Sequence, residues 1–323
     1  MSNLSRREFL ADSAVLAASA TLGRAAFATT TMAAPPLASE PHISFPTEPR
    51  QRIAVSSWPF RAWIESPANR WARKPNLPGM DLKDFAAMVV EKFNIHNIEP
   101  LAEHLSSTNA AYLAEFRAAV DKAGSHVIDL PSGGRNSFYD PDAAKRALAV
   151  DSAKKWVDVA VALGSPSVRV HVAGVHGVAP DVDPTAESLR QVADYGAQKN
   201  VVINLENDDI KTEDAFFLVK VIVKADHPWL HALPDFCNSM LTGNEQFDYD
   251  AVTAMFKHAY NICHVKDSEL DGHKLFRIDI VKTFGILKAS GYRGYCSMEF
   301  EGEGDPYEGT QKLIDATMKN LSA

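Results

Sequence analysis

The sequence predicts an α/β protein built as a (β/α)8 barrel, a single domain beginning near residue 51. Three observations carry this. After Arg50, short apolar runs alternate with longer amphipathic ones eight times over about 270 residues, the usual size of such a barrel. One of the short runs, "VVINLEN", has four apolar residues in its first five, which suits a strand covered by helices on both faces. The first run is followed by "SSWPFRAW", and no G-x-G-x-x-G occurs anywhere, which argues against an open doubly wound sheet.

The expected strands are "RIAVSSW" from Arg52, "HNIEPLA" from His96, "HVIDLP" from His126 and "SVRVHV" from Ser167. "VVINLEN" from Val201, "LHALPDF" from Leu230, "NICHVKD" from Asn261 and "GYCSMEFEG" from Gly294 complete the set. The helical segments between them include "NAAYLAEFRAAVDKAG" and "DAAKRALAVDSAKKWVDVAVALG", each closing on glycine where a helix C-cap favours it. "TEDAFFLVKVIVKA" offers Thr212 as an N-cap.

The chain ahead of the barrel reads differently. "SRREFL" carries twin arginines, Arg6 and Arg7, before a mildly apolar stretch that ends in Ala26-Phe27-Ala28. Residues 1–28 resemble a twin-arginine export signal, which implies passage through the Tat machinery and a periplasmic destination. Residues 29–50 are rich in Pro, Ala and Thr and read as a tether, leaving 51–323 for the barrel. No later apolar run approaches the ~18 residues of a membrane span. A net charge of −8, with both signs scattered, provides no basic footprint for nucleic acid. The three cysteines, Cys237, Cys263 and Cys296, form no even framework, and inert buried thiols suit them better than disulfides or nucleophiles.

In a barrel of this kind, chemistry sits at the C-terminal ends of the strands. The fifth strand ends on Glu206, the sixth on Asp235, the seventh on His264 and the eighth on Glu299. Alternation places Val168, Val170 and Val172 toward the helices and Arg169 and His171 toward the lumen. It likewise directs Asn204, Glu206, Ser297, Glu299 and Glu301 inward. Carboxylates converging there would repel one another, and a divalent cation resolves the conflict. One imidazole with three carboxylates suits Mn²⁺, with Mg²⁺, Co²⁺ and Zn²⁺ as alternatives. Any one of these residues alone would read as half of a salt bridge or a satisfied core histidine. Four successive strand ends of ligand type do not.

With "HVKD", "GYRGYCSMEFEG" and the order Glu206, Asp235, His264, Glu299, the chain resembles the sugar phosphate isomerase/epimerase family of xylose isomerase-like TIM barrels. The resemblance runs from Arg52 to the end. It implies that those four residues hold the metal and that Glu206 and Glu299 also serve as the acid/base pair. Two departures stand out. Asp235-Phe-Cys-Asn238 replaces Asp-x-x-His, and "KLFRIDI" replaces a Gly-Glu-Gly stretch. Asn238, Lys266, Arg169, His171 and Trp58 are expected at the substrate, and Arg277 reads equally as a substrate contact or a surface charge. Phe60, Trp63 and Trp71 either present flat rings to a sugar or cap the barrel. Glu99 and His104 are weaker candidates, and Asp271-Gly272-His273 reads as a loop turn.

A divalent ion chelating a ketose acidifies the C–H beside the carbonyl and stabilises the enediolate. Reprotonation gives an epimer or isomer, whereas expulsion of a β leaving group gives a dehydratase or lyase. The expected activity is therefore a metal-dependent isomerase, epimerase or related lyase on an unphosphorylated sugar or keto-sugar. A metal-holding carbohydrate-binding barrel without turnover is the main alternative. An abasic-site endonuclease would need a basic groove and more histidines. The sequence leaves self-association open.

Overall fold

The computed structural model describes residues 39–71 and 79–322. The export-signal segment, residues 1–28, lies outside the described residues, as does the tether as far as residue 38.

The barrel strands follow the expected order. β1 (Ile53–Ser56), β2 (Asn97–Glu99) and the split third strand, β3 (His126–Val127) with β4 (Pro131–Ser132), come first. β5 (Ser167–Val170), β6 (Val202–Glu206), β7 (Leu230–Leu233), β8 (Ile262–Val265) and β11 (Tyr295–Met298) complete the ring. Helices α1 (Phe85–Phe93), α2 (Ala110–Lys122), α3 (Ala143–Leu163), α4 (Val182–Lys199), α5 (Ala215–Ala225), α6 (Glu245–Phe256), α7 (Ile280–Ala289) and α8 (Pro306–Ser322) alternate with them. All barrel pairings are parallel, and β1 closes onto β11.

The ring has two seams, each at a proline. β3 pairs with β2 and β4 with β5, so the third strand changes partner around Asp129. Pro131 has no N–H to give to a ladder. Across the second seam, β7 meets β8 only through bridges at Ala232–Ala259 and Asp235–His264, on either side of Pro234. The latter bridge brings two of the expected metal ligands side by side.

One element escaped the sequence. β9 (Ser268–Asp271) and β10 (Lys274–Arg277) form an antiparallel hairpin rising from the end of β8. Its tip is Gly272-His273, with Gly272 at φ +61, a conformation that glycine adopts freely. The turn expected at Asp271-Gly272-His273 is therefore present. Two other expectations need correction. The N-cap of α5 is Asp214, whose side chain accepts from Phe216 N and Phe217 N, rather than Thr212. Residues 39–50 are also not a free tether. Tyr260 Oη donates to Pro41 O at 2.8 Å and accepts from Ile43 N at 3.0 Å, and Phe45 meets Tyr260 and Tyr295 edge-on.

Alternation partitions the strands as expected. Val168, Val170, Cys263, Val265, Cys296 and Met298 face the helices in the main core. The free thiols of Cys263 and Cys296 lie there 3.8 Å apart, buried on the side away from the lumen. A small apolar plug of Ala54, Ile128, Leu233 and Ile262, with Tyr295 against it, fills part of the lumen. A buried polar group of Asp129, Ser167, Asn204 and Asn261 fills another part.

Candidate active site

The strand ends converge. One ligand atom from each of Glu206, Asp235, His264 and Glu299 lies within 4.8 Å of every other, and all four residues are buried. His264 Nδ1 is the hub, 2.8 Å from Glu206 Oε1, 3.3 Å from Glu299 Oε2 and 4.0 Å from Asp235 Oδ2. Its Nε2 meets Glu99 Oε1 at 2.9 Å, and Ser297 Oγ donates to the other Glu99 oxygen at 2.6 Å. A carboxylate behind a ligating histidine fixes the ring's orientation and tautomer. Glu99 is thus a support for His264 rather than a substrate contact.

Asp235 is held from the opposite direction. Its Oδ1 accepts from Cys237 N and Asn238 N at 2.8 and 2.7 Å, while Asn207 clamps its backbone. Among the described residues, its Oδ2 is buried without a hydrogen-bond partner. Burial raises the Asp235 carboxyl well above the usual range, and the charges of Glu206 and Glu299 add to that. A buried carboxylate oxygen with no donor, facing an imidazole and two more carboxylates, fits a divalent cation. Glu206, Asp235, His264 and Glu299 would hold it.

Two fixed cations share the site. Lys266, buried, places Nζ 2.9 Å from Glu269 Oε2, 3.0 Å from Glu301 Oε2, 3.2 Å from Glu299 Oε2 and 3.7 Å from Asp235 Oδ2. It also donates to Asn238 Oδ1 at 2.9 Å. Burial alone would lower its pKa, but those carboxylates hold it well above the ordinary value. Arg169 approaches Glu206 Oε2 with Nε at 2.7 Å and Nη2 at 2.5 Å, and reaches Asp208 Oδ2 at 2.9 Å. Burial works to raise Glu206, yet Arg169 and His264 prevail and hold it far below the normal carboxylate range. Glu299 is similarly held down to about 2, burial being outweighed by His264 and Lys266.

The other expected contacts divide. Asn238 lies in the site, its Nδ2 3.3 Å from Glu206 Oε1. His171 is one step removed, beside Asp208 and Glu213. Trp58 stacks under Arg61, whose Cζ is 4.1 Å from the ring centre, and meets Trp71 edge-on, so one face is already covered. Phe60 is fully buried against Phe85 of α1 and Tyr307 of α8, and Trp63 also packs on Tyr307. Arg277 is exposed on β10 and makes no bond to the cluster among the described residues, which favours a surface charge. His104 is buried against Ser57, and burial lowers its pKa to about 3, so the ring is neutral. Glu269, Glu213 and Asp208 were missed because none lies on a barrel strand: Glu269 is on the hairpin strand β9, and the other two follow β6 on the approach to α5.

Residues 85–321 match the family model described as xylose isomerase-like TIM barrel. A sequence comparison with curated proteins gives no match. Among solved structures, a D-allulose 3-epimerase from Methylomonas sp. superposes with TM-score 0.64 at 15% identity, covering 86% of this chain and 100% of that one. A 3-keto-D-glucoside 4-epimerase from E. coli gives 0.60 at 15%, covering 84% and 100%. A xylose isomerase domain protein from Planctomyces limnophilus gives 0.59 at 20%, covering 86% and 97%.

Proposed function

Because this chain belongs to the xylose isomerase-like TIM barrel family, and four ligand-type strand ends converge within it, we propose that it enolises a keto-sugar with the help of a divalent cation. The reaction class is isomerisation or epimerisation, with β-elimination as the variant of the same chemistry. The observation that carries this reading is the shared 4.8 Å neighbourhood of Glu206, Asp235, His264 and Glu299, with Asp235 Oδ2 left without a donor. Mn²⁺ suits the donor set best, and Mg²⁺, Co²⁺ or Zn²⁺ could replace it. When bound, the cation would act as a Lewis acid, acidifying the C–H beside the carbonyl.

The chain's own residues supply the rest. Glu299 removes the carbon-bound proton, and Glu206 faces it across His264 as the acid/base partner. Lys266 and Asn238, joined at 2.9 Å, present a cation and an amide to oxygens of the substrate. The sugar epimerases among the structural neighbours support a carbohydrate substrate. Arg6-Arg7 and Ala26-Phe27-Ala28 support export to the periplasm, which favours an unphosphorylated sugar.

The test is solvent deuterium exchange into a panel of ketoses and 3-keto-glycosides, with Mn²⁺, Co²⁺ or Zn²⁺ present. Exchange at the carbon beside the carbonyl, lost in Glu299→Gln while sugar binding survives, supports enolisation. Absence of exchange into every member of the panel with each metal would rule it out.

A further inference from the structure

A second constellation stands at the mouth beside the carboxylate cluster. His171 follows β5 on the lumen face, one pleat beyond Arg169. Its Nδ1 is 2.7 Å from Glu213 Oε2, an ion-pair contact rather than a hydrogen bond, and 3.8 Å from Asp208 Oδ2. Glu213 is buried, and its other oxygen accepts from Val172 N at 2.7 Å, which ties the carboxylate to the backbone that carries His171. The ring's Nδ1 is inaccessible, yet the side chain is 29% exposed, so its open edge lies away from Glu213. An anchored, dry carboxylate beside one nitrogen of a ring that is open elsewhere favours the imidazolium and leaves the open edge for proton transfer. Burial opposes the imidazolium, but Glu213 outweighs it, with Asp208 assisting and Arg169 opposing, and His171 holds its proton more tightly than usual.

Epimerisation needs both Glu206 and Glu299 to exchange protons with carbon. Arg169 grips one oxygen of Glu206 through two nitrogens, and Asn238 and His264 occupy the other. Among the described residues, Glu299 has no arginine partner and contacts only Lys266 and His264 as ion pairs. A carboxylate with no arginine on it and a distinct imidazole are what an elimination requires: a base at carbon and an acid at the departing oxygen.

We propose that His171, oriented by Glu213, is a third proton-transfer residue, which protonates the leaving oxygen when a keto-glycoside is cleaved by β-elimination. This rests on the enolisation reading above and narrows it. Glu299 takes the proton from the carbon next to the carbonyl. The electrons of that C–H bond become the new C=C as the β C–O bond breaks, and the departing oxygen takes the proton of the His171 ring. The products are an unsaturated keto-sugar and a free alcohol, and proton exchange with water restores both residues.

The experiment uses the full metal-supplemented protein and two probes, methyl and p-nitrophenyl 3-keto-β-D-glucopyranoside, in which the C2–H is acidified and O1 is the β leaving group. Methoxide needs protonation to leave, whereas p-nitrophenolate does not. His171→Asn should lower kcat/KM on the methyl probe about 100-fold or more, the usual worth of a general acid. On the p-nitrophenyl probe the loss should stay below about 10-fold. Glu213→Gln should give the same ranking with smaller losses. Equal losses on both probes, or no loss, overturn the assignment. Wild-type protein that exchanges C2–H but releases neither alcohol overturns it while leaving enolisation intact. Neither exchange nor release overturns both.

Discussion

Glu99 Oε1 and His264 Nε2 lie 2.9 Å apart in the barrel lumen, both side chains buried, so the glutamate leaves His264 Nδ1 facing Glu206, Glu299 and Asp235. Partners of this kind, behind a metal-ligating histidine, are worth roughly 10–100-fold in metal affinity. Glu99→Ala should therefore weaken Mn²⁺ binding by about that factor, measured by competition with a chelator. Glu99→Gln keeps one acceptor for the ring N–H and should fall between.

Asp235→Asn separates the cation from the fold. The two backbone donors on Oδ1 remain satisfied by an amide oxygen, and the lost charge is one that burial disfavours. The metal-free variant should melt no lower than metal-free wild type. Saturating Mn²⁺ should stabilise the wild type by about 2.7 kcal/mol at a hundredfold excess over Kd and leave the variant unmoved. Calorimetry with and without chelator checks both expectations.

Lys266 is the counter-charge for Glu269, Glu301 and Glu299. Lys266→Met leaves those carboxylates facing one another with little water. Removing one partner of a buried ion pair costs roughly 3–5 kcal/mol. A loss of that order in urea denaturation of the metal-free protein at pH 7 is expected. A loss below about 1 kcal/mol would mean that solvent screens the cluster.

Asp129 gives the barrel a pH dependence. It is fully buried, and burial, with Glu99 adding, raises its carboxyl to about 7 against the help of Ser167 and Asn204. The folded state thus binds this proton more tightly than the unfolded chain does. Its contribution is fully present below about pH 4 and is lost as pH rises toward 7, by up to about 4 kcal/mol. Asp129→Asn should remove that decline, raising the Tm at pH 8 relative to wild type more than at pH 4. Equal shifts at both pH values would show that Asp129 ionises in the fold without penalty.

Much of the barrel was legible because a pleated strand sends alternate side chains to opposite faces. That rule, applied to "SVRVHV", "VVINLEN" and "SMEFEG", assigned Arg169, His171, Glu206 and Glu299 to the lumen, and they are there. It could not reach Glu269, which enters the site from a hairpin, or Glu213, which enters from the approach to α5. The stretch 39–50 misled for a related reason. Its composition is that of a tether, but Ile43 bonds to Tyr260, 217 positions away, a contact that no local pattern announces.

Strand ends, inward faces and ligand-type residues were properties of the sequence by itself, since each depends on neighbours two positions apart. Only the tertiary structure decided that Glu99 backs His264 across 165 positions, that Lys266 sits amid the carboxylates, and that Arg169 grips Glu206 while His171 takes Glu213. Charges meet according to how the barrel closes, and closure joins strands whose separation along the chain carries no trace of their distance in space.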